Sequence, residues 1–171
     1  MNLVGTFQYA EPMKEIGLDT GFNCVVHVKL GKRTFKVCLD TGGSRSLIRR
    51  SFLEQLRKGS QKAAIVKEER INPPLHCQGV CEGMKSADMV IAATLSLQFE
   101  ALDPDGHNAT EAPVLEVLFA ELDNAADALL IGFPEIVSWG CRFFDDQDGN
   151  VWVDFTKLGF CVLAESKNPP E

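Results

Sequence analysis

Along most of this 171-residue chain, hydrophobic and polar positions alternate with a period of two, the signature of strands that bury one face. Between Phe22 and Leu30, Val26, Val28 and Leu30 alternate with His27 and Lys29. Gly31-Lys32 is a two-residue hairpin turn, and Phe35, Val37 and Leu39 then alternate with Lys36 and Cys38. Similar runs cover residues 63–70, 75–80, 89–99, 114–118, 128–132, 141–144, 151–155 and 160–163. Ser46 to Arg57 breaks the pattern. There Leu47, Ile48, Phe52, Leu53 and Leu56 recur at helical spacing, with Arg49, Arg50, Glu54 and Gln55 opposite and Gly59 past the end. About eight or nine short strands with one or two short helices predict a mainly β fold, antiparallel and closed into something barrel-like.

The punctuation between runs sets the expected boundaries. Residues 1–21 contain Pro12 and hold no period, so they read as an N-terminal arm or linker; the domain is residues 22–163, and residues 164–171 form a tail with Asn168-Pro169-Pro170. Asn72-Pro73-Pro74 predicts a turn, with Glu82-Gly83-Met84-Lys85 as a second place where a hairpin could reverse. Asp103-Pro104-Asp105-Gly106 turns inside a polar insertion that runs to about Glu111. Asp145-Asp146-Gln147-Asp148-Gly149-Asn150 has the acidic look of a calcium loop, but no Glu closes it and strands flank it, so a hairpin turn is expected.

Composition narrows the function classes. Apolar content of 45% with 24% charged residues is that of an ordinary globular domain, and no run approaches the roughly 18 apolar residues that span a bilayer. Met1-Asn2-Leu3-Val4-Gly5 has neither a basic region nor an apolar core, so no signal peptide, no membrane partner and a cytoplasmic location are expected. Net charge of −7 without a basic stripe argues against nucleic acid. Of six cysteines, Cys24 and Cys38 fall in strand runs as small apolar residues. Cys77-x-x-x-Cys81 beside His76 is half of a metal site at most, and no second pair follows at zinc spacing. No metal and no cofactor are expected, and the Asn108-Ala109-Thr110 sequon carries no meaning in a reducing compartment.

The chemistry concentrates where the Phe35–Leu39 strand runs into Asp40-Thr41-Gly42-Gly43-Ser44. Two consecutive glycines let the backbone turn tightly and let another group approach, so a carboxylate is delivered from a rigid strand onto a narrow loop. An ordinary acidic turn at a strand end reads from the same residues. The segment nonetheless resembles the active-site stretch of retropepsin-like aspartic proteases: an apolar strand, Asp-Thr-Gly, a small residue, Ser, then a helix. Ala128-Leu129-Leu130-Ile131-Gly132 followed by Phe133-Pro134-Glu135-Ile136 looks like that family's second half, an apolar strand that threads the loop bearing the Asp, with a short helix after the Gly. Leu75 to Cys81 is similar to the strand after the flap in proteases of gypsy-type retrotransposon polyproteins.

The resemblance covers about residues 22–163 and implies an acid-protease fold with Asp40 catalytic. It gives Thr41 a hydrogen bond across a dimer dyad, and Gly42 the role of keeping the backbone close. Leu129, Leu130, Ile131 and Gly132 form the supporting strand, and Asn72, Pro73 and Pro74 the flap tip, with a plain surface hairpin equally open. Gly43 departs from the family, where Ala, Ser or Thr is common. The chemistry needs two carboxylates sharing a proton, and one such motif in context implies a homodimer acting on an extended peptide or polyprotein. Leu18-Asp19-Thr20-Gly21 repeats Leu39-Asp40-Thr41-Gly42, but no apolar strand leads into it, so Asp19 is not expected to be catalytic. A cellular retropepsin-like domain of ubiquitin-shuttle type, or a dimeric peptide-binding module that does not cut, are the alternatives.

Overall fold

A computed structural model describes residues 3–4, 7–8, 13–78, 86–103, 105 and 107–165. β1 (Leu3–Val4) and β2 (Phe7–Gln8) form a separate two-stranded ladder, and β3 (Met13–Ile16) joins the main sheet. β4 (Asn23–Leu30) and β5 (Arg33–Asp40) pair in full register around Gly31-Lys32, where Gly31 takes φ 62°. β6 (Leu47–Arg49), α1 (Arg50–Lys58) and β7 (Ile65–Gln78) follow. Then come β8 (Ser86–Leu102), β9 (Ala109–Glu111), β10 (Leu115–Leu122), β11 (Leu129–Ile131) and α2 (Phe133–Ser138). β12 (Cys141–Asp146), β13 (Val151–Phe155) and β14 (Phe160–Leu163) complete the fold as a meander.

Six strands close into a barrel in the order β10–β6–β11–β5–β4–β8, because β8 pairs back onto β10. Closure removes the free edges that an open sheet of this size would expose. β8 spans 17 residues and serves two sheets. Its middle pairs with β10 and β4, and its end reaches β9 and β14, from which β13, β12 and β3 continue. Phe99 of β8 lies where the two sheets meet, with ring centroids 4.7 Å from Phe155, 5.6 Å from Trp139 and 6.1 Å from Phe160. Each such ring stabilises the fold by about 1.5–3 kcal/mol on burial. The expected class, mainly β and barrel-like with one or two short helices, is the one observed, but the β10–β6 and β11–β5 pairings are parallel where antiparallel strands were expected. No helix among the described residues is long and apolar enough to cross a membrane.

Four local readings change. Leu47–Arg49 is a strand, and the helix begins only at Arg50. Leu47 and Ile48 are both buried between β10 and β11, so tertiary pairing outweighs the helical spacing of their side chains. Asn72-Pro73-Pro74 makes no turn. It lies inside β7, where a register shift between Arg70 and Leu75 sets it outside the ladder. Among the described residues β7 pairs only with β8, and Pro, which cannot donate to a ladder, is tolerated at such an edge bulge. β7 ends at Gln78 and its antiparallel partner β8 begins at Ser86; the Glu82-Gly83-Met84-Lys85 alternative lies outside the described residues. In the polar insertion, Ala109–Glu111 pairs with β8 as a short edge strand. In the arm, Met13–Ile16 pairs with β12. Backbone pairing of this kind leaves no period in the side chains.

Candidate active site

Asp40 is the last residue of β5, paired with Asn23 of β4 and half-buried. Beyond it the chain makes a short loop and returns as β6. β11 runs between the two, parallel to β5 (Leu130 opposite Cys38, Ile131 opposite Leu39) and antiparallel to β6 (Leu129 opposite Ile48, Leu130 opposite Leu47). Leu129, Leu130 and Ile131 are all buried, as a strand covered on both faces must be. The loop that carries Asp40 is therefore threaded by β11, the arrangement the resemblance implied.

Three contacts fix the loop on that strand. Phe133 N–H donates to Gly43 O at 2.8 Å, and Gly132 N–H donates to Ser46 Oγ at 3.1 Å. Gly132 itself lies so close to Arg45 that a Cβ there would stand 2.7 Å from both C and O of Arg45. Its φ of −91° suits any residue, so this glycine answers to contact alone. A Cβ on Gly43 would meet Leu130 Cδ2 at 3.2 Å and Asp40 O at 3.3 Å, a tight fit that the movable Leu130 end can relieve.

Inside the loop, Gly42 N–H donates to Asp40 Oδ1 at 2.9 Å and Gly43 N–H to Asp40 O at 3.1 Å. The first bond holds the carboxylate in one orientation. Thr41 is buried, and both its N–H and its hydroxyl donate to Phe22 O at 2.9 Å. Ser44 is exposed. Burial, with the Asp127 and Asp40 carboxylates adding to it, pushes the Cys38 thiol up to about 12. A neutral thiol on the strand that leads to Asp40 is packing material and no nucleophile.

The repeated motif sits next to the first. Asp19 is exposed on the single 3-10 turn Leu18–Thr20, which ends at Gly21 in the left-handed region (φ 70°). Gly21 Cα lies 3.7 Å from where a Cβ of Gly42 would be. Sequence reading separated the two by context and gave no hint that they touch.

Beside the loop, Leu47, Met89, Ala120, Leu122, Ala125 and Leu130 form a buried apolar cluster distinct from the main core. Ile71 and Leu75 of β7 pack on it, so the outer ribbon of β7 and β8 is rooted against the Asp40 loop. Asn72, Pro73 and Pro74, expected at a flap tip, are exposed partway along that ribbon. Sequence reading missed Ser46 and Arg49. Arg49 Nε donates to Ala125 O at 2.7 Å, its Nη2 to Ala126 O, and its N–H to Ala128 O at 3.0 Å, clamping the segment that feeds β11. It also missed buried Glu121, which accepts from Arg50 Nε at 2.8 Å and lies 3.6 Å from Arg57. The single hint was the Arg49-Arg50 pair, which reads as a solvated helix face.

No protein-family model matches the chain, and no curated protein matches it. Among solved structures, it is similar to the retroviral protease-like domain of Ddi1 from Leishmania major, at 12% identity over 88% of this chain and 99% of that one, with a TM-score of 0.48.

Proposed function

We propose that the protein is an aspartic endopeptidase of retropepsin type, active as a homodimer in which two Asp40 carboxylates share a proton across the two-fold. The observation that carries this reading is the threaded loop: β11 lies between the strands entering and leaving it, Phe133 N–H binds the Gly43 carbonyl, and Gly132 N–H binds the Ser46 hydroxyl. That construction gives the Asp40 carboxylate a fixed place and orientation, which proton transfer in a transition state requires. The ionised carboxylate of the pair takes a proton from water as the water oxygen attacks the scissile carbonyl carbon. The protonated one donates to the carbonyl oxygen as the C=O π electron pair moves onto that oxygen. Collapse of the tetrahedral intermediate returns a hydroxyl proton to the second carboxylate and re-forms C=O, while the C–N bond breaks and the leaving nitrogen takes the proton that the first carboxylate drew from water.

The substrate we propose is an extended polypeptide, of the kind a polyprotein linker offers, lying between the Asp40 loop and the β7–β8 ribbon as a flap. Leu75 to Gln78 belong to β7, and the likeness of residues 75–81 to a gypsy-type strand after the flap rests on the sequence alone. The test is digestion of a peptide library by the parent protein and by Asp40→Asn. Cleavage by the parent and none by the variant is expected. Equal cleavage by both, or none by either while a dimer grips the peptides, refutes the reading.

A further inference from the structure

Resting on that dimeric reading, we infer that the exposed apolar face of α2, formed by Phe133 and Val137, seals the two-fold beside the paired Asp40 residues. Two observations meet here. First, Thr41 has one N–H and one hydroxyl proton, and both end on Phe22 O of the same protomer. The Thr41 hydroxyl oxygen can still accept across the two-fold, and further contact there falls to other exposed residues. Second, Phe133 (41% exposed) and Val137 (44%) stand one helical turn apart and face solvent, on the element hydrogen-bonded to the active-site loop.

Geometry then selects a second copy as the occupant. Carboxylates that share a proton lie about 3 Å apart, so the two-fold passes between the Asp40 side chains. The Gly43 N–H bond to Asp40 O closes a tight turn, which keeps the two residues within about 7 Å. Phe133 N is 2.8 Å from Gly43 O. A stable interface covers about 800 Å² per partner, roughly 16 Å in radius if circular, so the start of α2 falls inside it. An isologous contact uses each residue twice, which doubles the effect of any charge placed there.

The experiment is a sedimentation dilution series on the full chain. It compares the parent, the double variant Phe133→Glu with Val137→Glu, and Leu163→Glu, whose residue is equally exposed (42%) but sits on β14 in the second sheet. The double variant is expected to raise the dimer dissociation constant by at least about tenfold, with cleavage recovered at high protein concentration. Leu163→Glu should stay within about twofold of the parent. If the Glu pair lowers the melting temperature, the pair Phe133→Ser with Val137→Ser carries the comparison. A double variant that dimerises as tightly as the parent overturns the inference, and so does a raised KM with an unchanged dimer, which makes the face a substrate contact. A parent that cuts at constant specific activity as a monomer overturns the dimeric reading itself.

Discussion

Adding one methyl group at Gly132 tests whether the threaded loop is as tightly built as described. The new Cβ would lie 2.7 Å from C and O of Arg45 and 2.9 Å from its N. Comfortable separations are about 3.5–4.0 Å, so three backbone atoms overlap it by roughly 0.6–0.8 Å at the least. Backbone cannot rotate away as a side-chain end can, and two hydrogen bonds hold this stretch in place. With φ at −91°, Ala meets no conformational penalty, and its stiffer unfolded chain returns about 0.4–1 kcal/mol. Overpacking of this kind costs about 1–3 kcal/mol and sometimes more, so a net loss of about 2 kcal/mol is expected. For a domain of this size that lowers Tm by roughly 4–8 °C. The loop also moves away from β11, and a displacement of about 1 Å at Asp40 is worth about a hundredfold in kcat/KM. Gly43→Ala is the control. Its nearest neighbour is the movable end of Leu130 at 3.2 Å, so a loss under about 1 kcal/mol is expected. Thermal unfolding followed through buried Trp139, with kcat/KM on the same samples, reads both effects. Equal Tm and equal kcat/KM for the two variants would refute the reasoning.

Asp40→Asn should abolish cleavage while leaving Tm close to the parent value, and Asp19→Asn, on an exposed 3-10 turn, should keep full activity; loss at Asp19 with activity retained at Asp40 reverses the assignment. Asp146 is subject to burial, which raises its pKa, but hydrogen bonds from Trp152, Asn150 and Asp148 outweigh it and hold the carboxyl below its ordinary 3.8. A depressed folded-state pKa gives stability that is complete above 3.8 and lost as pH falls through the folded value. Asp146→Ala should therefore lower the urea midpoint more at about pH 7 than at about pH 3, and an equal loss at both contradicts the hydrogen-bonding account. Cys38 is buried with its thiol pushed up to about 12, so iodoacetamide at about pH 8 should label it only after unfolding; native-state labelling would show the strand to be open.

The sequence by itself determined the strands, because a half-buried strand writes its period into its side chains: β4, β5, β10 and β12 to β14 fall on alternating runs. It also carries the two halves of the candidate site. Asp40-Thr41-Gly42 and Leu129 to Gly132 are each a local pattern with an unusual need, a carboxylate on a glycine turn and an apolar strand too short to stand alone. Tertiary structure decided what those halves do to each other. That Gly132 touches Arg45, that Ser46 Oγ takes the Gly132 N–H, and that Thr41 donates to Phe22 are contacts between residues separated by up to 87 positions, and nothing local encodes them. Backbone pairing without a side-chain period hid β3 and β9, and sandwiching between β10 and β11 turned Leu47–Arg49 into a strand. The prolines of β7 misled for the same reason: Pro forbids a ladder bond, and only the presence or absence of a neighbouring strand decides whether that forces a turn or a bulge on an edge.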